Sequence, residues 1–167
     1  MKKVPTSVLV GLLILAAAAL LAGLYSGLVR LGLLSFADPP VSPITHGPLM
    51  INGFLGTLIG LERAAALEKK WAYTAPVFLA ASTILLLIGL PSPSNVALIL
   101  GSAGLVLVMG YLYYLQPKIY HLIMALGAIS LLVGNLLFVT GSPIYSIVVW
   151  WAAFPMLTIF GERLELN

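Results

Sequence analysis

The stretch Thr45-His46-Gly47-Pro48-Leu49-Met50-Ile51-Asn52-Gly53-Phe54 opens an apolar run that closes at Leu61-Glu62-Arg63. The run has the length of a helix that crosses a bilayer, which takes about 20 mainly apolar residues. A histidine stands at one mouth and a Glu-Arg pair at the other. This run holds the most polar chemistry in the chain, and the remainder reads as packing around it.

Working outward, Asp38-Pro39-Pro40 and Pro43 force a loop on its N-terminal side, because proline removes a backbone donor and stops a helix. A first helix is expected before that loop, over residues 6–32, and the central one over 45–67. Glu68-Lys69-Lys70 forms a charged turn. A third helix is expected over 71–90, ending at Pro91-Ser92-Pro93, and a fourth over 94–115, capped by Ser94 or Asn95. Gln116-Pro117-Lys118 turns the chain into a fifth helix over 119–140. Gly141-Ser142-Pro143 then stops one helix and starts the next, with Ser142 as a cap and Pro143 at the first helical position. The sixth covers 143–161 and ends in Gly161-Glu162-Arg163-Leu164-Glu165. Short connections make sequence neighbours antiparallel neighbours. The expected fold is all-α: a polytopic transmembrane bundle of six helices in a single integral membrane domain, residues 1–167.

Composition agrees. Of 167 residues, 61% are hydrophobic and 8% charged, against about 25% charged in ordinary soluble domains. Mean hydropathy is +1.12. Such a chain cannot cover a water-facing surface, so the lipid bilayer is its expected partner. The absence of cysteine excludes disulfides, thiolate metal sites and cysteine nucleophiles. A net charge of +3 with no basic run gives no case for nucleic acid. Lys2 and Lys3 before an apolar stretch resemble a signal peptide, but the uncharged run from Pro5 to Val29 far exceeds an h-region of roughly 7–15 residues. It reads as a retained helix.

Lys2 and Lys3, then Arg63, Lys69 and Lys70, then Lys118, then Arg163 fall at alternate helix ends. Arg30 alone falls at the opposite ends, where it can snorkel outward. The positive-inside rule then places both termini in the cytoplasm of a bacterial or archaeal cell. Trp71, Tyr73, Tyr111 to Tyr120, Tyr145, Trp150 and Trp151 read as interfacial aromatics.

His46 falls in the first turn of the second helix. An imidazole there can ligate haem iron or copper or relay a proton, and Met50 one turn on would suit a soft metal. The plainer reading is an interfacial histidine with Met50 as filler. His121 opens the fifth helix from the other side, and Met124 follows. It is separated from His46 by most of a hydrocarbon core about 30 Å thick, so the two cannot share one haem within one chain. Its role stays unassigned, with an interfacial position beside Tyr120 as the plain reading. Asn52 and Asn135 fall in the same half of the membrane, where buried amides pair between helices. Glu62, Arg63, Glu162 and Arg163 read as a clamp, Glu62 with Arg163 and Arg63 with Glu162; a proton or anion path is the alternative. Gly23-x-x-x-Gly27 and Gly56-x-x-x-Gly60 fit close helix contact. No Walker loop, dinucleotide fingerprint, His-Glu-x-x-His or hydrolase triad is present, so no residue reads as catalytic.

His46 to Met50 through Gly53 to Arg63, together with His121-Leu122-Ile123-Met124-Ala125-Leu126-Gly127 and Gly161-Glu162-Arg163-Leu164-Glu165-Leu166, resembles the N-terminal half of NnrS-like membrane proteins. That group is similar to the haem–copper oxidases in having a histidine near the outer end of its second helix. The resemblance implies haem or copper, a link to nitric oxide tolerance, and His46 as the ligand. It also implies about twice this number of helices. The expectation is therefore a half-length or truncated form, or a six-helix relative that works as a homo-oligomer or with a second membrane subunit. The other expectation is a non-catalytic membrane subunit or small transporter with a Glu-Arg clamp.

Overall fold

The computed structural model describes residues 4–34 and 42–166. Among these, all regular structure is helical. Helix α1 is Thr6–Arg30. Helix α2 is one continuous helical run over 46–67, made of His46–Pro48, a π-helical stretch Leu49–Gly56 and Thr57–Leu67. Helix α3 is Lys70–Leu87, α4 is Pro91–Leu115, α5 is Ile119–Val139 and α6 is Ile144–Glu165. All but α2 are long and apolar enough, by composition, to cross a membrane. The α2 run is of similar length and carries Glu62 and Arg63 near its end.

Three helices stop in the same way. Gly32, Gly89 and Gly141 have φ of 72°, 79° and 75°. Behind each, two backbone N–H groups turn back onto the last helical turn, as in Leu33 N–H to Leu28 O and Gly32 N–H to Val29 O. This is the Schellman closure, in which a left-handed residue lets the chain satisfy carbonyls that would otherwise be orphaned. It ends α1 before residue 32 and α3 before residue 90. The freed residues let Pro91 stand at the start of α4, so Ser94 lies inside the helix. Its hydroxyl donates to the Ser82 carbonyl at 2.8 Å instead of capping. Pro143 caps α6, with Ser142 outside it. The Asp38-Pro39-Pro40 loop lies outside the described residues.

At its other end α6 runs to Glu165, a turn beyond residue 161. The extra turn carries Glu162 and Glu165, three apart and so on one face, and both reach Arg63.

Every other helix touches α2. It packs on α1 and α3 along its length and on α4 over Thr57–Leu67. It reaches α5 through Asn52 and α6 through Arg63. The main core joins Ile59 of α2 to Leu105, Met109, Met124, Leu131 and Phe154. Successive helices run antiparallel, so Arg63, Lys69, Lys70, Lys118 and Arg163 gather at one end; Lys2 and Lys3 lie outside the described residues.

Candidate functional site

His46 and Arg63 are 17 positions apart on α2. At about 1.5 Å per residue that is roughly 25 Å, so each marks one end of the bundle.

At the histidine end, α2 lies against the glycine face of α1. A Cβ on Gly27 would sit 2.9 Å from His46 Nδ1, and one on Gly23 would sit 2.7 Å from Met50 Sδ. Both contacts need glycine, so His46 and Met50 do share the face that meets α1. The His46 Nδ1–H donates to the Gly23 carbonyl at 2.8 Å. Only a protonated Nδ1 can bond a carbonyl, so the ring's lone pair is on Nε2.

The other side of this end is a cavity of about 840 Å³. Its walls include His46, Gly47, Phe138, Ile147, Trp151 and, at the mouth, Arg30. Trp151 is 3% exposed, which corrects its reading as an interfacial residue; its neighbour Trp150 is 41% exposed. Two glycines make the slot for the indole. A Cβ on either Gly47 or Gly134 would lie 2.6 Å from it. Phe138 packs on it at 5.4 Å between ring centres.

Behind Trp151 runs a chain of amides. Trp151 Nε1–H donates to Asn135 Oδ1 at 2.9 Å, and Asn135 Nδ2 donates to Asn52 Oδ1 at 2.8 Å. All three side chains are buried. The pair of asparagines therefore joins α2 to α5 and also holds a wall of the cavity. Asn52 sits in the middle of the π-helical stretch, and its carbonyl accepts from Thr57, five residues on. Stretches of this kind are rare and recur at functional sites. Asn52 Nδ2 is buried with no protein acceptor.

At the arginine end, Arg63 is 6% exposed. Its guanidinium meets Glu162 at 2.8 Å, Glu165 at 3.1 Å and Glu62 at 3.5 Å. The clamp thus centres on one arginine shared by three carboxylates, with Glu62 turned to its own neighbour, and Glu165 is a member that the sequence reading left out. A cavity of about 250 Å³ adjoins it, lined by Arg63, Glu165, Gln116 and His121. His121 is 5% exposed, buried rather than interfacial. Its Nδ1–H donates to the Gln116 carbonyl at 2.9 Å, and its ring packs on Tyr120 at 4.5 Å. His46 and His121 stay at opposite ends, in separate cavities.

The family model described as Domain of unknown function (DUF8744) matches residues 9–167. The chain belongs to that family. Both ends of α2, the cavity at His46 and the Arg63 cluster lie within the matched DUF8744 region. No curated protein and no solved structure matches the chain.

Proposed function

We propose that this integral membrane protein holds a haem against His46, as its resemblance to the NnrS-like group implies. Both termini and the basic helix ends then face the cytoplasm of a bacterial or archaeal cell, with His46 on the opposite side. The observation that supports the reading is the fixed ring of His46. With Nδ1–H committed to a backbone carbonyl, the ligating lone pair is on Nε2, and the ring forms part of a cavity wall. Metal-binding histidines are oriented in this manner through their second nitrogen.

The cavity suits a flat apolar group. Its volume, about 840 Å³, falls in the range of roughly 300–1,000 Å³ for cofactor and ligand sites. Trp151 and Phe138 offer aromatic surface, and the Asn52–Asn135 pair keeps the indole in place. A copper site at His46 and Met50 fits poorly. The Met50 sulfur is packed on Gly23, and among the described residues no group of three His, Asp or Glu side chains could hold a metal. When bound, a haem would supply iron for a diatomic ligand such as nitric oxide. His46, Trp151 and Phe138 would hold it and keep water from one face. His121 opens the other cavity and would not reach a haem held here.

The test is an absorption spectrum with iron and copper analysis on protein purified from haem-replete cells. A Soret band that His46→Ala removes or shifts supports the reading, and colourless, metal-free protein contradicts it.

A second reading draws on Arg63. Its burial among three carboxylates suits a non-catalytic membrane subunit or small transporter clamped at the cytoplasmic mouth. In that case Glu162→Gln impairs assembly or flux while His46→Ala has no effect.

A further inference from the structure

The mouth of the His46 cavity differs from its floor. Ile147 and Trp151 at the floor are 2% and 3% exposed, whereas Arg30, Ser142 and Tyr145 stand at the rim. Arg30 ends α1 and is the charged residue among the cavity's lining groups. Among the described residues no carboxylate lines the cavity beside it. The cavity therefore has a buried aromatic and aliphatic interior, hydroxyl groups at its edge and a guanidinium at its mouth, with no carboxylate beside it among the described lining residues. A guanidinium is a rigid planar fork that matches a carboxylate through two parallel hydrogen bonds. Beside a low-dielectric wall such a pair is stronger than in water.

We propose that Arg30 makes this cavity selective for a ligand that joins a flat apolar body to a carboxylate, binding the carboxylate at the mouth. A porphyrin with propionate side chains is such a ligand. The proposal deepens the haem reading by locating the polar end of the group. It shares that reading's cavity, but it does not depend on iron or on the axial bond of His46.

The two can be separated with metal-free probes. Protoporphyrin IX keeps the carboxylates and lacks iron, and its dimethyl ester keeps the flat body and lacks the charge. Binding of each to the purified full-length protein in a zwitterionic detergent is read from porphyrin fluorescence and from quenching of tryptophan emission. Protoporphyrin IX binds and its dimethyl ester binds about ten- to a hundredfold more weakly, the scale of a hydrogen bond to a charged group. Arg30→Gln weakens the acid by a similar factor and leaves the ester unchanged, and Arg30→Lys restores part of the loss. Arg30 is exposed at the end of α1, so these variants disturb no core contact. His46→Ala retains Arg30-dependent binding of the metal-free acid. Should haem coordination prove independent of His46 while this pattern holds, the axial reading falls and the carboxylate reading stands. Equal binding of acid and ester, no effect of Arg30→Gln, or no binding of protoporphyrin IX at all overturns the proposal.

Discussion

His46 Nδ1 lies 2.8 Å from the Gly23 carbonyl oxygen, across the contact between α2 and α1. This one bond sets the tautomer of the neutral ring. His121 is held in the same sense by the Gln116 carbonyl at 2.9 Å. The chain has 2 histidines, so nitrogen-15 spectra of histidine-labelled protein are simple to assign with a His121→Gln variant. In its neutral form each ring is expected as the Nδ1–H tautomer. A neutral Nε2–H ring at His46 would show that the Gly23 bond is not made.

The same contact predicts the effect of filling α1's glycine face. A methyl at Gly27 meets His46 Nδ1 at 2.9 Å, so the ring has to shift and its bond to Gly23 is disturbed. Gly27→Ala is expected to lower stability by about 1–3 kcal/mol, the usual cost of overpacking. It should also shift the His46 nitrogen signals while those of His121 stay in place. Thermal unfolding in detergent and the same labelled spectra check both parts.

The buried amide chain should be sensitive to its middle member. Asn135→Leu leaves Trp151 Nε1–H and Asn52 Oδ1 without partners inside a dry core. The expected loss is about 1–3 kcal/mol, the cost of stranding buried polar groups. Asn135→Gln should recover little, because the extra methylene has to fit beside Gly134, where Trp151 already packs. A tryptophan emission shift together with the melting temperature reads out this change. An Asn135→Leu protein as stable as the parent would remove the amide chain from the account.

At the arginine end the three carboxylates differ in their surroundings. Glu162 is the closest to Arg63 and the least exposed of the three side chains, at 31%, whereas Glu62 is 60% exposed. Hydrogen bonds to charged groups are worth about 1.5–3 kcal/mol when shielded, and exposed ion pairs about 0–1 kcal/mol. Glu162→Gln should therefore cost more than Glu62→Gln, which should be near neutral. Arg63→Ala should cost most, since it leaves all three carboxylates facing one another. Melting temperatures of the three variants, ranked, test the order.

Much of this was legible in the sequence, for identifiable reasons. The number and type of helices followed from apolar length, since lipid permits few alternatives. Asn52 and Asn135 were readable because a buried amide requires a partner. Gly23-x-x-x-Gly27 was readable as a contact face. The end of α3 was placed late, at Pro91, because the left-handed closure at Gly89 acts before the proline is reached, whereas the expected ends at residues 32 and 140 fall within two residues of the observed ones. The last turn of α6 was cut short for the opposite reason: its charges look like a terminus until Arg63 is brought beside them. Trp151 was assigned by residue type to the interface. The π-helical stretch over Leu49–Gly56 had no local signal.

The most direct test of the central claim remains the ultraviolet–visible spectrum of the purified protein, taken with iron analysis beside the His46→Ala variant. The account predicts a Soret band and bound iron in the parent, with the band lost or shifted in the variant. Protein from haem-replete cells with no Soret band, or with a band indifferent to His46→Ala, would contradict it.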